Sequence, residues 1–355
     1  MTRSFHKFAR FLTLGCCAIF ASCDQQIESL DPQKRSRVLL GFALSPEPLN
    51  NDSRYREILK KNAQSITPDY SLKWRYLEKN HGLRDYAEAD KIILWAKEHK
   101  MSVRGHTLMW RQGLPDWLMN SKFTKSQSEA LVEKHITETI GHFSKLAPGT
   151  VDSWDVWNEA FADDGKLFDL PWAKGEAEVE KFIQQAFHWA RAADPKVKLF
   201  YNDFLLERST TRTNNIFAFV KRMVDAKVPL DGVGIQFHMY ELDKRNYKEI
   251  YSNLKRFTDL GLDIEFTEVD FALVKESPRS RRRQARTIAK LYEICDSLPR
   301  CRRMTFWGVT DRYSWYDQGN WENYFSPFLW NKNYREKPSF FALKESIYKS
   351  SLKGR

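Results

Sequence analysis

The chain has 355 residues, 42% of them hydrophobic and 29% charged, and its 57 Lys+Arg against 46 Asp+Glu give a formal charge of +11. That length and balance exclude a mini-scaffold and a disordered segment, and five cysteines exclude a disulfide-dense framework. The positive charge leaves a nucleic acid, an anionic membrane surface or an acidic polymer open as partners and does not choose among them.

Residues 1–10 carry Arg3, Lys7 and Arg10 and no acid, and residues 11–22 form an apolar run of twelve. Such a run is too short for a helix across a bilayer core of about 30 Å, but it fits the core of a signal peptide. It ends in Ala21-Ser22 directly before Cys23, the pattern of a lipoprotein signal, although Phe20 replaces the usual leucine. The expectation is a signal over residues 1–22, lipidation of Cys23 and an exported protein held at a membrane, in the periplasm or at the cell surface. Ordinary cleavage, or an uncleaved anchor, is the alternative. Loss of residues 1–22 leaves 54 basic against 46 acidic residues, a charge of +8. Residues 23–37 are polar and charged without apolar periodicity and read as a flexible tether.

From Val38 to about residue 350 the pattern is that of one domain. Short apolar runs at Val38–Leu44, Ser65–Asp69, Ser102–Thr107, Ser153–Glu159, Lys198–Asp203, Gly232–His238, Asp263–Asp270 and Arg303–Val309 alternate with helical spacing near 52–62, 86–99, 126–145, 175–193, 211–225, 246–260 and 280–297. A last helix follows Lys337-Pro338. The runs do not alternate cleanly, as expected of strands buried on both faces. Eight strand–helix units predict an α/β fold, a single (β/α)8 TIM barrel. An open doubly wound sheet would want a glycine-rich phosphate turn after its first strand, and Gly41-Phe42-Ala43-Leu44 offers none. Near the end of the seventh helix, Cys295 and Cys301 flank Ser297-Leu298-Pro299. In an oxidising compartment they would close a short disulfide loop; two free thiols are the alternative. The densest basic cluster, Arg279–Arg286, reads as the solvated start of a helix, or, less plainly, as a polyanion patch. No nucleic-acid module accompanies it.

Active sites of such barrels lie at the C-terminal ends of the strands. There the fourth run ends in Trp154-Asp155-Val156-Trp157-Asn158-Glu159, and the seventh in Glu265-Phe266-Thr267-Glu268-Val269-Asp270. The third delivers Arg104, His106 and Trp110; the sixth, Gln236 and His238; the eighth, Trp307, Asp311 and Trp315; Lys73 follows the second. Two carboxylates across an aromatic-lined cleft suit glycosidic cleavage, one protonating the leaving oxygen while the other attacks the anomeric carbon or activates water.

These segments resemble glycoside hydrolase family 10, whose main activity is endo-β-1,4-xylanase. The matching blocks are Arg104–Trp110, Trp154–Ala160, Tyr201-Asn202-Asp203, Gly232–His238, Phe266–Asp270, Trp307–Trp315 and Lys337-Pro338. The resemblance implies retaining double displacement, with Glu159 as acid/base and Glu268 as nucleophile. It implies that Asn158 binds the sugar 2-hydroxyl and that His238, held by Asp270, orients Glu268. Asp155 would support His106; Lys73, His106, Trp110, Gln236, Trp307 and Trp315 would contact sugar. No metal or organic cofactor is implied, the partner is a polysaccharide such as xylan or glucuronoxylan, and the protein is read as a monomer that binds no nucleic acid. Asp69-Tyr70, Arg111-Gln112-Gly113 and Leu205 depart from the family pattern on the glycone side. The same mechanism on another β-1,4-glycan or on short or decorated xylo-oligosaccharides is therefore the alternative, and an inactive carbohydrate-binding lipoprotein the more distant one.

Overall fold

A computed structural model describes residues 36–353 apart from 121, 242, 244, 318–320 and 322. The signal segment, Cys23 and most of the tether lie outside the described residues. In chain order the elements are β1 (Leu39–Leu44), α1 (Pro46–Asn51), α2 (Ser53–Asn62), β2 (Ser65–Pro68), α3 (Trp74–Leu77), α4 (Ala87–Glu98), β3 (Ser102–Gly105), β4 (Met109–Trp110), α5 (Asp116–Met119), α6 (Lys125–Leu146) and β5 (Val151–Asn158). Then follow α7 (Glu176–Ala193), β6 (Lys198–Phe204), α8 (Thr211–Asp225), β7 (Gly232–Gln236), β8 (His238–Tyr240), α9 (Tyr247–Asp259), β9 (Asp263–Ala272), α10 (Pro278–Ser297), β10 (Cys301–Phe306) and α11 (Pro338–Lys353).

Eight strands pair in parallel in the order β1, β2, β3, β5, β6, β7, β9, β10, and β10 pairs back onto β1 through Leu40↔Met304 and Phe42↔Phe306. The sheet is therefore a closed barrel, which excludes the open doubly wound alternative. All ten residues of β9 are buried, because helices cover the outside and side chains fill the inside. Two runs behave differently from their reading as single strands. The sixth breaks at Phe237: β7 ends at Gln236, and β8 pairs only with β9, setting His238 opposite Asp270. The eighth stops at Phe306, because Gly308 at φ +154° turns the chain against the Phe328 ring, leaving Trp307 at the barrel rim.

The helices start where local chemistry caps them. The Asp52 carboxylate accepts the Arg54 and Tyr55 N–H groups at 3.0 and 3.1 Å, and Thr124 with Gln127 and Ser277 with Ser280 form reciprocal capping boxes, the latter with Pro278 in the first turn. Below the site, the barrel interior is ionic. Arg104 on β3 bonds Asp155 on β5 and Glu265 on β9; Arg303 on β10 bonds Ser65 on β2 at 2.9 Å and Asp152 on β5 at 2.6 Å. Gly234 makes room for this layer, since a Cβ there would lie 2.2 Å from Asn202 Oδ1 and 2.8 Å from Arg104. At the opposite end of the barrel, Cys295 and Cys301 are joined by a disulfide where α10 turns into β10. The Arg37 guanidinium caps this corner, donating to the carbonyls of Leu298 at 2.7 Å and Pro299 at 2.9 Å.

Candidate active site

Strand ends carry the polar groups to one mouth. Lys73 follows β2, His106 follows β3, Trp110 ends β4, Asn158 ends β5, Gln236 ends β7 and His238 starts β8, while Glu268 lies within β9 and Trp307 just past β10. All of these, with Glu159 and Trp315, line one cleft of about 500 Å³. Asp155 and Asp270 stand behind it, each wholly buried. Two residues expected at the mouth are elsewhere. Arg104, two positions before His106, points inward from β3 one layer deeper, into the ionic core. Asp311 is drawn away by Lys337, whose ammonium it meets at 2.9 Å.

Glu159 adopts φ +53°, so the chain turns sharply at the end of β5 and presents the carboxylate to the cleft. Its Oε1 accepts from Gln236 Nε2 at 2.9 Å and its Oε2 from Trp110 Nε1 at 2.8 Å. The segment after it is clamped from behind. Arg212 donates to the carbonyls of Phe161 and Ala162 and, at 2.7 Å, to Asp203, while the Tyr201 hydroxyl accepts the Ala160 N–H and donates to Asp203. Burial pushes Asp203 up to about 6 against the pull of Arg212 and Tyr201.

Glu268 is only 4% exposed. Its Oε1 accepts from Asn202 Nδ2 at 2.8 Å and its Oε2 meets His238 Nε2 at 3.1 Å. Burial alone would raise its pKa. The His238 hydrogen bond, the charges of His106 and His238 and the Asn202 amide outweigh it and hold the carboxyl below its ordinary range. His238 is the counterpart: burial disfavours its charge, but Asp270 at 2.8 Å from Nδ1, together with Glu268, lifts it to about 10. It is thus an imidazolium donating from both nitrogens. Asp270 is itself fixed by the Tyr316 hydroxyl at 2.8 Å and Trp315 Nε1 at 3.1 Å.

The two carboxylates are linked by amides. Gln236 Nε2 lies 3.3 Å from Asn158 Oδ1, which also accepts from Asn202 Nδ2 at 2.8 Å; that same nitrogen reaches Glu268, and Asn202 Oδ1 accepts from Thr267 Oγ1 at 2.7 Å. With its oxygen doubly engaged, Asn158 has its amide nitrogen left for a ligand hydroxyl. His106 is held at 2.9 Å by Asp155, and its ring makes a T-shaped contact with Trp307. Lys73 reaches over the Trp110 ring, and its burial lowers its pKa although Asp69, Glu268 and Glu159 pull upward.

Asn202, Tyr240 and Trp321 were not expected here. Asn202 had a signal, the Tyr-Asn-Asp block at a strand end; Tyr240 and Trp321, stacked with their planes 8° apart, had none. Of the positions that depart from the family pattern, Leu205 lines the cleft at φ +59° and Arg111 packs over Phe168. Asp69 is bound by Ser45 through one oxygen, its other oxygen has no partner, and burial pushes it up to about 6. Tyr70 packs on Tyr76, and a Cβ on Gly113 would stand 3.1 Å from the Trp110 ring.

The His238 pair makes stability depend on pH in a defined direction. An unfolded histidine loses its proton near 6.5, whereas folded His238 keeps it to about 10. Between those values the folded state binds more protons, so stability falls as pH rises through this window. Thermal melts of the wild type are expected to lose stability from pH 6.5 towards 10 more steeply than those of His238→Asn. Parallel curves would remove the charged pair from the account.

Residues 30–346 match the pattern of glycosyl hydrolase family 10. The chain is 32% identical to endo-1,4-beta-xylanase B of Thermotoga neapolitana over 97% of both chains, and 34% identical to beta-1,4-xylanase of Dictyoglomus thermophilum over 90% of this chain and 91% of that one. Its fold is similar to native xylanase 10B from Thermotoga maritima (TM-score 0.85, 32% identity, 92% of this chain and 100% of that one). Xylanase 10B from Thermotoga petrophila RKU-1 in complex with xylobiose has the same score and identity, over 92% of this chain and 99% of that one.

Proposed function

Because the chain belongs to glycosyl hydrolase family 10, we propose that it is an endo-1,4-β-xylanase that cleaves xylan with retention, Glu268 acting as nucleophile and Glu159 as acid and then base. The observation that carries this reading is the asymmetry of the two carboxylates on one amide relay. Glu268 is pinned as an anion by the His238 imidazolium and Asn202. Among the described residues, Glu159 accepts its hydrogen bonds from neutral donors, the Gln236 amide and the Trp110 indole.

In the first step Glu268 attacks the anomeric carbon while Glu159 gives its proton to the departing glycosidic oxygen. The C–O bond breaks as the glycosyl ester forms. In the second step Glu159, now ionised, takes a proton from water, whose oxygen displaces Glu268 from the anomeric carbon. Two inversions give net retention, and the enzyme ends in its starting protonation state. Esterification removes the Glu268 charge, which weakens the hydrogen bond from His238. Asn158 offers its amide nitrogen to the 2-hydroxyl beside the nucleophile, a contact that strengthens as charge develops. Trp307 and Trp315 supply apolar faces on which pyranose rings stack.

The test is turnover of glucuronoxylan, arabinoxylan, mixed-linkage glucan and an aryl xylobioside, with proton NMR of the first-formed reducing end. Xylan and xylobioside cleavage giving the β-anomer first is expected. Turnover of glucan without xylan, or the α-anomer first, would overturn the reading. The same reading has the protein exported and held by a lipid on Cys23, supported by the basic start and the twelve-residue apolar run before Cys23. Mass spectrometry of the exported protein should find acylated Cys23 as its N-terminus, and an unmodified N-terminus elsewhere would refute it.

A further inference from the structure

A second cavity, of about 730 Å³, opens between the start of α9 and the flank of α10. Arg279, Arg283, Arg286 and Lys290 face it from α10 at spacings of four, three and four, so one helix face carries a stripe of four cations. Arg245 joins them from the loop between β8 and α9. Its side chain is only 8% exposed, and its guanidinium donates to the Tyr240 and Asp243 carbonyls with the Asp243 carboxylate 3.7 Å away, so it adds charge behind the wall while the exposed arginines supply the free donors. Glu241 and Glu293 are the acids on the walls, and Glu293 is taken by Lys290 at 2.8 Å. Arg283 is steadied by the Asp243 carbonyl at 2.9 Å. Among the described residues, Arg279 and Arg286 make no ion pair.

Helix stability does not account for the stripe. Like charges at i and i+4 repel, and cations in the first turns oppose the helix dipole, which favours acids there; α10 has no acid in its first turn. The exposed guanidinium groups of Arg279 and Arg286 are instead suited to carboxylates, which such groups bind through paired N–H donors.

The position of the cavity identifies which anions reach it. Tyr240 lines the catalytic cleft and stacks on Trp321, and the next residue, Glu241, lines the basic cavity. The two sites thus share one short wall. The first described residues are held at the other end of the molecule: Ser36 meets the Tyr292 hydroxyl, and Arg37 caps the C-terminus of α10. With 20 residues, α10 separates that corner from its own start by about 30 Å. The start of α10, with Arg279, therefore lies at the end of the barrel where the strands finish, the same end as the catalytic cleft.

We propose that this cavity binds the uronate branches of an acidic xylan whose backbone occupies the catalytic cleft; the proposal rests on the xylanase reading above. The test is the variant Arg279→Gln/Arg286→Gln in the full chain, which removes two exposed cations without ion-pair partners. Its kcat/KM on glucuronoxylan should fall about two- to tenfold through KM, as expected for two exposed charge contacts. Turnover of neutral arabinoxylan and of the aryl xylobioside should stay unchanged, and the wild-type advantage on glucuronoxylan should fade at high salt. Unchanged kinetics on glucuronoxylan, or equal losses on all three substrates, would overturn the proposal. So would wild-type binding to phosphatidylcholine–phosphatidylglycerol vesicles that the variant loses while its glucuronoxylan kinetics stay intact, which would assign the stripe to a membrane. Affinity electrophoresis in glucuronoxylan gels separates the two claims. Retardation of the wild type, lost in the variant, in a protein that cleaves no xylan would reject the xylanase reading and support the uronate site.

Discussion

Glu268→Ala is expected to lower kcat on xylan by at least about 10⁴-fold with KM changed little, because removing a nucleophile removes the covalent path itself. Alanine is a better test than glutamine. The Glu268 carboxylate accepts from both His238 Nε2 and Asn202 Nδ2, so a glutamine would set its own NH₂ against one of these donors and confuse lost chemistry with lost packing. Alanine leaves a space the size of a small anion beside the imidazolium. Azide should enter it and attack the anomeric carbon of an activated aryl xylobioside from the face Glu268 vacated. One displacement replaces two, so the product is the α-xylobiosyl azide. Recovery of activity with azide and formation of that anomer would identify the face of attack. Unaltered turnover by the variant, or a β-azide, would remove Glu268 from the role of nucleophile. A melting curve close to wild type separates this from unfolding, and Asp270 remains to hold His238 in place.

The barrel and its two carboxylates were legible because a parallel barrel sends every strand end to the same mouth, so the sequence position of Glu159 and Glu268 already implies convergence. Asn202 was harder to see. Its register partner is Asn158 on the adjacent β5, but its second contact is Glu268 on β9, with β7 between them. That contact depends on strands leaning across the barrel mouth, which no local pattern records. The break at Phe237 was hidden for a related reason. An apolar run reads the same whether the chain keeps its neighbours or, as β8 does, pairs with β9 alone. Trp321 sits in the long connection after β10, where there is no period to read. The arginine cluster was half legible: Arg279 and Arg286 are exposed, as a solvated helix face should be. Its convergence with Arg245, from the loop after β8, is tertiary.

Glu159→Ala is expected to split the two halves of the reaction. On xylan the leaving oxygen needs a proton, and turnover should fall by about 10²–10⁴-fold, the usual worth of a positioned acid. A dinitrophenyl xylobioside has a leaving group that departs without help, so its first step should run nearly as in the wild type. The second step still needs a base for water and becomes slow. The glycosyl ester on Glu268 then accumulates, giving a burst of dinitrophenol equal to the enzyme concentration, a low steady rate and a sharply reduced KM. Azide needs no base and should restore turnover, but here it displaces Glu268 from the ester, so the product is the β-azide. The two alanine variants are therefore predicted to give opposite azide anomers from one substrate. This outcome depends on which carboxylate forms the covalent bond, and a general loss of packing cannot imitate it. Loss of Glu159 leaves Gln236 Nε2 its longer contact to Asn158 Oδ1, while Trp110 Nε1 loses its acceptor. A modest drop in stability is expected alongside the kinetic change, and it should be the same whether or not azide is present. If the burst is absent and the xylan and dinitrophenyl substrates lose activity in equal measure, Glu159 is not the acid that serves the leaving group.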